Sequence, residues 1–210
     1  MEPFVQITGY YNTNMKLSKS FYIRDSVTFI AKELLGKYIF TLENKKLTGG
    51  IITETEAYAG AIDKASHAYN NRRTKRTEIM FAEGGVAYVY LCYGIHNLFN
   101  FVTNKQNIPD AILLRGIIPV EGIKIMEERM GRRMTAKGFC DGPGKVSKAL
   151  NIKVADTGKS LTGNRVWVED RGIKITENNI LKLPRIGVDY AGKDAGLPYR
   201  FIIKDISVLK

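Results

Sequence analysis

Residues 54–67 combine side chains that could carry out acid–base chemistry. The segment contains Glu54, Glu56, Tyr58 and His67, and it follows the β-branched residues at 51–53, which favour a strand. Side chains two residues apart lie on one face of a strand, so Glu54, Glu56 and Tyr58 should share a face. Neither face of this strand is an apolar stripe. Two carboxylates, an aromatic ring and a histidine therefore indicate a reaction centre.

Glu56 is a candidate general base that would activate a water molecule. A positioned general base speeds a reaction by about 10²–10⁴-fold. Arg115 is a candidate partner, because a guanidinium can hold a carboxylate or a phosphate through two parallel hydrogen bonds. A fixed carboxylate would also stabilise an oxocarbenium-like carbon, as in the hydrolysis of a glycosidic bond.

Tyr58, Tyr88 and Tyr90 suggest which group would leave that carbon. Flat aromatic faces beside a carboxylate suit a flat leaving group such as a nucleobase. Electron-rich rings would favour a cationic, alkylated purine through cation–π attraction of about 0.5–2 kcal/mol per contact. Taken alone, Tyr88 and Tyr90 fit the core or face of a sheet and His67 fits a structural role. Their combination on a basic chain favours a pocket for a base.

A base can reach such a pocket only after it leaves the duplex, and an inserted side chain can offset that cost. The strand-like runs at 86–92 and 95–103 are separated only by Tyr93 and Gly94. This spacing predicts a β-hairpin with Tyr93 at its tip. A large aromatic residue at an exposed tip is a candidate wedge for the space that the base vacates.

Basic residues near these motifs could hold the flanking phosphates. The loop at 59–79 carries four of them, Arg72, Arg73, Lys75 and Arg76, although short basic runs are often solvated loops. The sequence Gly-Pro-Gly-Lys at 142–145 opens a predicted helix. There, exposed main-chain N–H groups and a lysine could bind a phosphate through Gly144 and Lys145, although many such sequences are ordinary turns.

The charge of the chain supports a nucleic-acid partner. The 210 residues include 32 Lys and Arg against 21 Asp and Glu, a net charge of +11. Such a balance is typical of nucleic-acid-binding proteins, although it also suits anionic membranes. Two cysteines and two histidines argue against a structural zinc site. No apolar run approaches the roughly 20 residues of a membrane span, and no signal-peptide pattern is present. We therefore expect a cytoplasmic protein with free thiols.

The apolar pattern predicts a single domain. A helix is expected from Asp25, as the N-cap, to Gly36. The other expected elements are strands at 37–42, 50–58, 111–115, 165–169, 173–176 and 199–203, and helices at 120–130 and from Pro143. Residues 1–14 are polar and without periodicity, so we expect a flexible N-terminal extension, with one domain at 15–210.

A series of motifs occurs in one order along the chain. They are Glu54-Thr-Glu-Ala-Tyr58, Ala65-Ser-His67, Met80-Phe81, Tyr88-Val-Tyr-Leu-Cys-Tyr-Gly94, Asn100, Leu113-Leu-Arg115, Gly142-Pro-Gly-Lys145, Arg185-Ile-Gly-Val188, Ala191-Gly192 and Arg200-Phe201. This series resembles the alkyladenine (3-methyladenine) DNA glycosylase family, bacterial members included, over about residues 17–203.

The resemblance implies an α+β fold: one compact domain with a curved, open-barrel-like antiparallel β-sheet, flanking helices and a protruding β-hairpin. It also implies a monofunctional glycosylase without metal or other cofactor. Such an enzyme acts on damaged purines in double-stranded DNA and leaves an abasic site. We expect it to work as a monomer.

The resemblance further implies roles for individual residues. Glu56 would activate the water, and Arg115 would help to hold that water or the adjacent backbone. Tyr58 would stack on one face of the flipped base.

The resemblance implies that His67 and Tyr90 lie against the other face of the base. Asn100 would line the pocket floor and disfavour guanine by crowding its exocyclic amino group. Tyr93 would intercalate into the duplex. Glu54 is left without an assigned role.

The chain departs from the family pattern at a few positions. Tyr69-Asn70-Asn71 stands where glycines are usual, and Thr77 stands where an asparagine is common. Asp189 and Asp194 also differ from the commoner residues of the C-terminal signature. These positions bear on substrate range and on DNA binding more than on the type of reaction.

Two other functions stay open at this point. One is a sugar glycosidase that uses Glu54 and Glu56, whose spacing of about 6.5–7 Å on a strand is near the roughly 6.5–9.5 Å of an inverting pair. The other is a non-catalytic nucleic-acid-binding protein with stacking tyrosines. A helix-hairpin-helix glycosylase is suggested by the sequence at 183–187, but Gly192 and Gly196 disfavour the helix that this motif requires.

Overall fold

The computed structural model describes residues 15–209, and its strands form one curved antiparallel sheet. The predicted extension at 1–14 lies outside the described residues. The strands are β1 (Tyr38–Glu43), β2 (Lys46–Tyr58), β3 (Ala87–Cys92), β4 (His96–Thr103), β5 (Asp110–Glu121), β6 (Val166–Glu169), β7 (Ile180–Leu183) and β8 (Arg200–Ile203).

The long strand β2 lies in the interior of the sheet. The strand order is β3-β4-β5-β2-β1-β6, and β8 pairs with both β2 and β7. One edge of β2 pairs with β5, while its other edge pairs first with β1 and then, at Glu54–Glu56, with β8. The two carboxylates of the predicted reaction centre therefore lie where strands flank β2 on both sides.

Four α-helices of the described region pack around the sheet: α1 (Lys19–Tyr22), α2 (Val27–Glu33), α3 (Ile123–Met130) and α4 (Pro143–Ala149). Helix α2 contacts β2 and β5, and α4 contacts β4, β5 and α3. Ile30, Ile52, Phe101 and Leu114 belong to the main apolar core that these elements enclose. The predicted α+β class, with a curved antiparallel sheet and flanking helices, is confirmed.

The predicted hairpin forms from β3 and β4, with Cys92 opposite His96 and Tyr93 at the turn. Other predicted elements form with shifted ends. Strand β5 continues well past Arg115 to Glu121, so the helix expected from 120 begins only at Ile123. Gly122 separates strand from helix in the left-handed conformation (φ 65°), which suits glycine.

Two predictions of local structure are wrong. Ser26, not Asp25, caps α2, because its side chain accepts the N–H of Phe29. No strand forms at 173–176; Ile173 and Ile175 instead pack around Gly36. Helix α1 and strand β7 were not predicted from the sequence.

Candidate active site

A cavity of about 670 Å³ opens between the β3–β4 hairpin, β5 and the segment at 186–190. Most of the predicted site residues line it: Tyr58, His67, Arg76, Tyr90, Tyr93, Asn100, Arg115, Gly144 and Lys145. Arg72, Arg73 and Lys75 lie outside the lining. Glu56 also lies outside it, but its hydrogen-bond partners do not, so its carboxylate lies directly behind the cavity wall.

The Glu56 side chain is fully buried and held from three directions. Its Oε2 accepts a hydrogen bond of 2.9 Å from the Tyr58 hydroxyl. Its Oε1 accepts the main-chain N–H of Ile186 at 2.9 Å and lies 3.4 Å from Nε of Arg115. Tyr58, Ile186 and Arg115 all line the cavity, so these three residues connect the carboxylate to the space beyond them.

Arg115 reaches Glu56 through an irregularity in the β2–β5 ladder. Glu54 pairs with Gly116 and Thr55 with Leu114, which leaves Arg115 as an extra residue on β5. A β-bulge of this kind redirects a side chain. A Cβ on Gly116 would lie 2.9 Å from Oγ1 of Thr53, so glycine permits the close approach of the strands. The bulge lets Arg115 Nε face Glu54 at 2.9 Å and Glu56 at 3.4 Å.

Burial and charge act in opposite directions on this pair. Burial raises the pKa of Glu56 above its ordinary value, although Arg115, the N–H of Ile186 and the hydroxyl of Tyr58 each pull it down. For Arg115, burial lowers the pKa, but the carboxylates of Glu56 and Glu54 outweigh it and the net change is upward. The result is a permanently charged guanidinium beside a carboxylate of raised basicity.

Tyr58 lies in the cavity wall with a cation behind it. Arg185 is buried, outside the cavity lining, with its Cζ 4.8 Å from the centre of the Tyr58 ring. Its guanidinium pairs with Asp63 and donates to the carbonyl of Ala57 at 2.9 Å. These contacts fix the guanidinium, and the guanidinium in turn packs on the Tyr58 ring.

His67, Tyr88 and Tyr90 form an aromatic group that also lines the cavity. Nδ1 of His67 and the Tyr88 hydroxyl share a hydrogen bond of 2.8 Å, and the His67 and Tyr90 rings meet edge to face with centres 4.7 Å apart. Burial, with the charges of Arg76 and Arg72, lowers the pKa of His67 to about 4. His67 is therefore a neutral imidazole at physiological pH.

Arg76 lies in the cavity wall and not in the outer part of the basic loop. Its Cζ is 4.7 Å from the centre of the Tyr90 ring, its Nε is 3.3 Å from the Tyr88 hydroxyl, and its Nη2 is 3.0 Å from Nε2 of His67. A guanidinium thus adjoins the rings at the mouth of the cavity.

Asn100 is buried on β4 and lines the cavity. Its Nδ2 lies 3.2 Å from the carbonyl of Tyr88 and 3.3 Å from that of Leu98, within donating distance of both. Both amide hydrogens are engaged by the main chain, so the side chain is fixed in orientation.

Tyr93 stands out at the hairpin tip with 92% of its surface exposed. Its backbone is in the left-handed region (φ 51°), and Gly94 follows with φ 73°. Leu91 and Ile95 beside it are also exposed. The hairpin tip is therefore an exposed, largely apolar surface on a basic protein.

The basic loop is built without the expected glycines. Asn70 and Asn71 take φ of 57° and 55°, a conformation that asparagine tolerates better than most residues. Thr77 is buried; its hydroxyl accepts the N–H of Thr74 at 2.8 Å and donates to the carbonyl of Arg72 at 2.8 Å. These departures from the family pattern are compatible with an ordered loop.

Within that loop the cations have different surroundings. Arg73 pairs with Glu78 at 3.1 Å and lies over the Phe81 ring at 4.1 Å. Arg72 and Lys75 are exposed.

Gly144 and Lys145 lie at the start of α4, beside the hairpin. A Cβ on Gly144 would lie 3.0 Å from Cγ of His96, so this glycine allows the hairpin to pack against the helix. Nζ of Lys145 donates to the carbonyl of Gly138 at 3.1 Å and is otherwise exposed.

Two contributors to this site were not assigned roles from the sequence. Ile186 acts through its main-chain N–H, which no side-chain pattern reveals. Arg185 belongs to the C-terminal motif, but its contact with Tyr58 depends on the folded geometry. The same holds for the hydrogen bond between His67 and Tyr88, which was predicted only as a pocket aromatic.

Within residues 15–209, no three His, Cys, Asp or Glu side chains come together as a group that could hold a metal ion. The same residues include no helix long and apolar enough to cross a bilayer.

Comparisons with known proteins identify the family of this chain. A chain from Chlamydia felis named "Putative 3-methyladenine DNA glycosylase" is 46% identical over 188 residues, which cover 89% of this chain and 95% of that one. A chain of the same name from Clostridium perfringens is 40% identical over 199 residues, covering 91% of this chain and 97% of that one. The sequence model described as Methylpurine-DNA glycosylase matches residues 20–207. The chain therefore belongs to the methylpurine-DNA glycosylase family.

Proposed function

We propose that this protein excises alkylated purines, 3-methyladenine foremost, from double-stranded DNA by hydrolysing the N-glycosidic bond and leaving an abasic site. The observation that carries the proposal is the buried carboxylate of Glu56, held by Arg115 and Ile186 at the wall of an aromatic-lined cavity. The names of the related bacterial proteins agree with this activity.

In this mechanism Glu56 accepts a proton from water while the water oxygen bonds to C1′ of the sugar. The bond between C1′ and the base nitrogen breaks, and its electron pair leaves with the base. A cationic alkylated purine departs as a neutral molecule and needs no acid. Arg115, the N–H of Ile186 and the hydroxyl of Tyr58 hold the carboxylate in place.

The flipped base would lie between Tyr58 on one face and His67 with Tyr90 on the other. A neutral His67 suits this role, because a histidinium would repel a cationic base. Asn100, fixed in the cavity lining, would crowd the exocyclic amino group of guanine. The size of the cavity, about 670 Å³, is ample for a purine nucleoside.

Tyr93 would enter the duplex and replace the flipped base. Its exposure at the tip of a hairpin beside the cavity supports this role. Phosphates would be held by the exposed loop cations Arg72, Arg73 and Lys75, by Arg76 in the cavity wall, and by Gly144 and Lys145. The net charge of +11 would make binding fall steeply with salt. We infer a monomer that acts in the cytoplasm without metal and without strand cleavage.

The arrangement of Glu54 and Glu56 argues against a sugar glycosidase. An inverting pair must leave room for the sugar and a water between its carboxyl groups. Here the guanidinium of Arg115 faces both carboxylates, so a charged side chain and not an open space lies between them. A non-catalytic DNA-binding protein would gain nothing from a buried carboxylate beside its binding cavity.

The decisive experiment is a set of duplexes with one lesion each, scored for release of free base. We expect 3-methyladenine to be released without divalent ions and the strand to stay intact until alkali is added. Glu56→Gln should keep DNA binding and lose most excision, by about 10²-fold or more. Unchanged excision by this variant would remove Glu56 as the base, and strands cut without alkali would contradict a monofunctional enzyme.

A further inference from the structure

Glu54 is a buried carboxylate for which the proposed mechanism has no use. It is 7% exposed, lies on β2 two residues before Glu56, and does not line the cavity. Its Oε1 accepts hydrogen bonds from Nε of Arg115 at 2.9 Å and from Nη1 of Arg200 at 3.1 Å. A single carboxylate oxygen therefore binds two guanidinium groups.

Both guanidinium groups connect Glu54 to the surroundings of Glu56. Arg115 Nε lies 3.4 Å from Oε1 of Glu56, farther than from Oε1 of Glu54. Arg200 Nε donates to the carbonyl of Pro184 at 3.0 Å, two residues before Ile186, whose N–H donates to Glu56. Glu54 is thus connected to the cation that faces Glu56 and to the segment that supplies its main-chain donor.

We propose that Glu54 is a positioning residue that holds Arg115 away from a full ion pair with Glu56 and so keeps Glu56 able to take a proton from water. This inference rests on the proposed function, because it assigns Glu54 a purpose in that reaction. Glu54 does not touch the substrate; it acts through Arg115.

The electrostatic balance around Glu56 supports this role. The groups that face Glu56 are Arg115 from β5, Glu54 and Tyr58 from β2, and Arg185 from the segment before β8. Burial is the largest influence and raises the pKa of Glu56, Arg115 lowers it, and the charge of Glu54 raises it again. Removing the Glu54 charge leaves Arg115 to Glu56 alone, so the pKa of Glu56 should fall and the carboxylate should become a weaker base.

The test is the pH dependence of single-turnover excision by Glu54→Gln, which keeps an acceptor oxygen for both guanidinium groups but removes the charge. We expect the acid limb of its pH–rate profile to move to lower pH by roughly one unit. The rate on the plateau of that profile should also be lower than in the wild type. Arg200→Gln should move the acid limb in the opposite direction, because Glu54 then draws Arg115 further from Glu56. If Glu54→Gln does not fold, the pH–rate profile of Arg200→Gln tests the proposal by itself.

Glu169→Gln is the matched control. Glu169 is a buried glutamate on β6 that pairs with Arg171 at 2.7 Å, away from the cavity. Glu169→Gln should leave the acid limb of the pH–rate profile where it is in the wild type. A uniform loss of rate in the Glu54 variant at every pH, or shifts of the same sign in the Glu54 and Arg200 variants, would mean that Glu54 only supports the fold.

A second readout does not need activity. Carbon-13 NMR of labelled glutamate carboxyl groups, with the Glu56 signal assigned from its absence in Glu56→Gln, follows the titration of Glu56 directly. We expect that titration to move to lower pH in Glu54→Gln. An unmoved titration overturns this inference even in an active enzyme. Absence of base release by the wild-type protein would overturn the proposed function, and the NMR titration would still decide the role of Glu54.

Discussion

The Tyr58 hydroxyl donates a hydrogen bond of 2.9 Å to Oε2 of Glu56, two residues earlier on the same strand. The alternation of β2 brings both side chains to one face, and burial makes the bond more than a surface contact. The ring proposed to stack on the base and the carboxylate proposed to activate water are therefore one hydrogen-bonded unit. Removal of the Tyr58 hydroxyl should therefore change the pKa of Glu56.

We predict that Tyr58→Phe moves the acid limb of excision to higher pH by roughly half a unit to one unit. The ring and its stacking are kept, but a donor that lowers the pKa of Glu56 is lost. Since the deprotonated form is the active base, activity should then disappear at a higher pH. Single-turnover excision across pH 4–8 measures the shift.

Tyr38→Phe is the control, because Tyr38 lies on β1 against Phe40, away from the cavity. An acid limb that stays in place in Tyr58→Phe would show that the hydroxyl does not act on the carboxylate during the reaction.

We predict that Glu56→Gln is more stable than the wild type at neutral pH, although it is nearly inactive. The folded state raises the pKa of Glu56 above 4.5, so the stabilising contribution of protonated Glu56 is present below pH 4.5 and is lost as the pH rises through the folded value. Glutamine mimics the protonated form at every pH. Arg115 keeps Glu54 as a partner, so no guanidinium is left unpaired.

Thermal unfolding at several pH values tests this prediction. The melting temperature of the variant should exceed that of the wild type by a few degrees at pH 8, the change that about 1 kcal/mol produces in a chain of this length. The difference should vanish below pH 4.5. A lower melting temperature at neutral pH would show that the ionised carboxylate stabilises the fold.

We predict that Arg76→Gln raises the pKa of His67 from about 4, while leaving it below its ordinary value of 6.5. Burial is the largest cause of the low pKa, and the charge of Arg76 is the next. The neutral form of His67 contributes stability above pH 6.5, and this contribution is lost as the pH falls through about 4. Arg76→Gln should therefore lose less stability than the wild type when the pH is lowered. Nitrogen-15 NMR of the imidazole gives the titration directly.

Arg73→Gln provides the comparison for Arg76→Gln, since Arg73 lies over Phe81 and pairs with Glu78. Equal titration of His67 in the wild type and in Arg76→Gln would mean that Arg76 leaves the cavity wall in solution.

Much of the sheet was predictable because its signals are local. The hairpin around 93–94, the alternation that places Glu54, Glu56 and Tyr58 on one face, and the part of β2 at 50–58 depend on neighbours in sequence. The cap at Ser26 was missed because two adjacent polar residues could each serve, and only the geometry of the helix start selects one.

The contacts that complete the site are not local. The bulge that turns Arg115 toward Glu56 depends on register with a strand about 60 residues away, and β8 joins the far edge of β2 from the end of the chain. Ile186 contributes a main-chain N–H, which any residue except proline could supply. The cation behind Tyr58 comes from Arg185, more than 120 residues away. The sequence named Arg115 as a candidate partner of Glu56, but single-sequence patterns do not give the register or the geometry of such pairs.

We predict that Tyr93→Ala weakens binding to lesion-containing duplex by about tenfold or more, while its stability changes by less than about 0.5 kcal/mol. The side chain is 92% exposed, so its loss removes little packing, and alanine inherits the same left-handed backbone. Ile62→Ala is the matched control, because Ile62 is 83% exposed and lies away from the cavity. Equilibrium titration of fluorescent duplexes, with and without a lesion, measures both variants. Equal losses for Tyr93→Ala and Ile62→Ala, or a loss equal for damaged and undamaged DNA, would mean that Tyr93 contacts DNA without acting as the wedge.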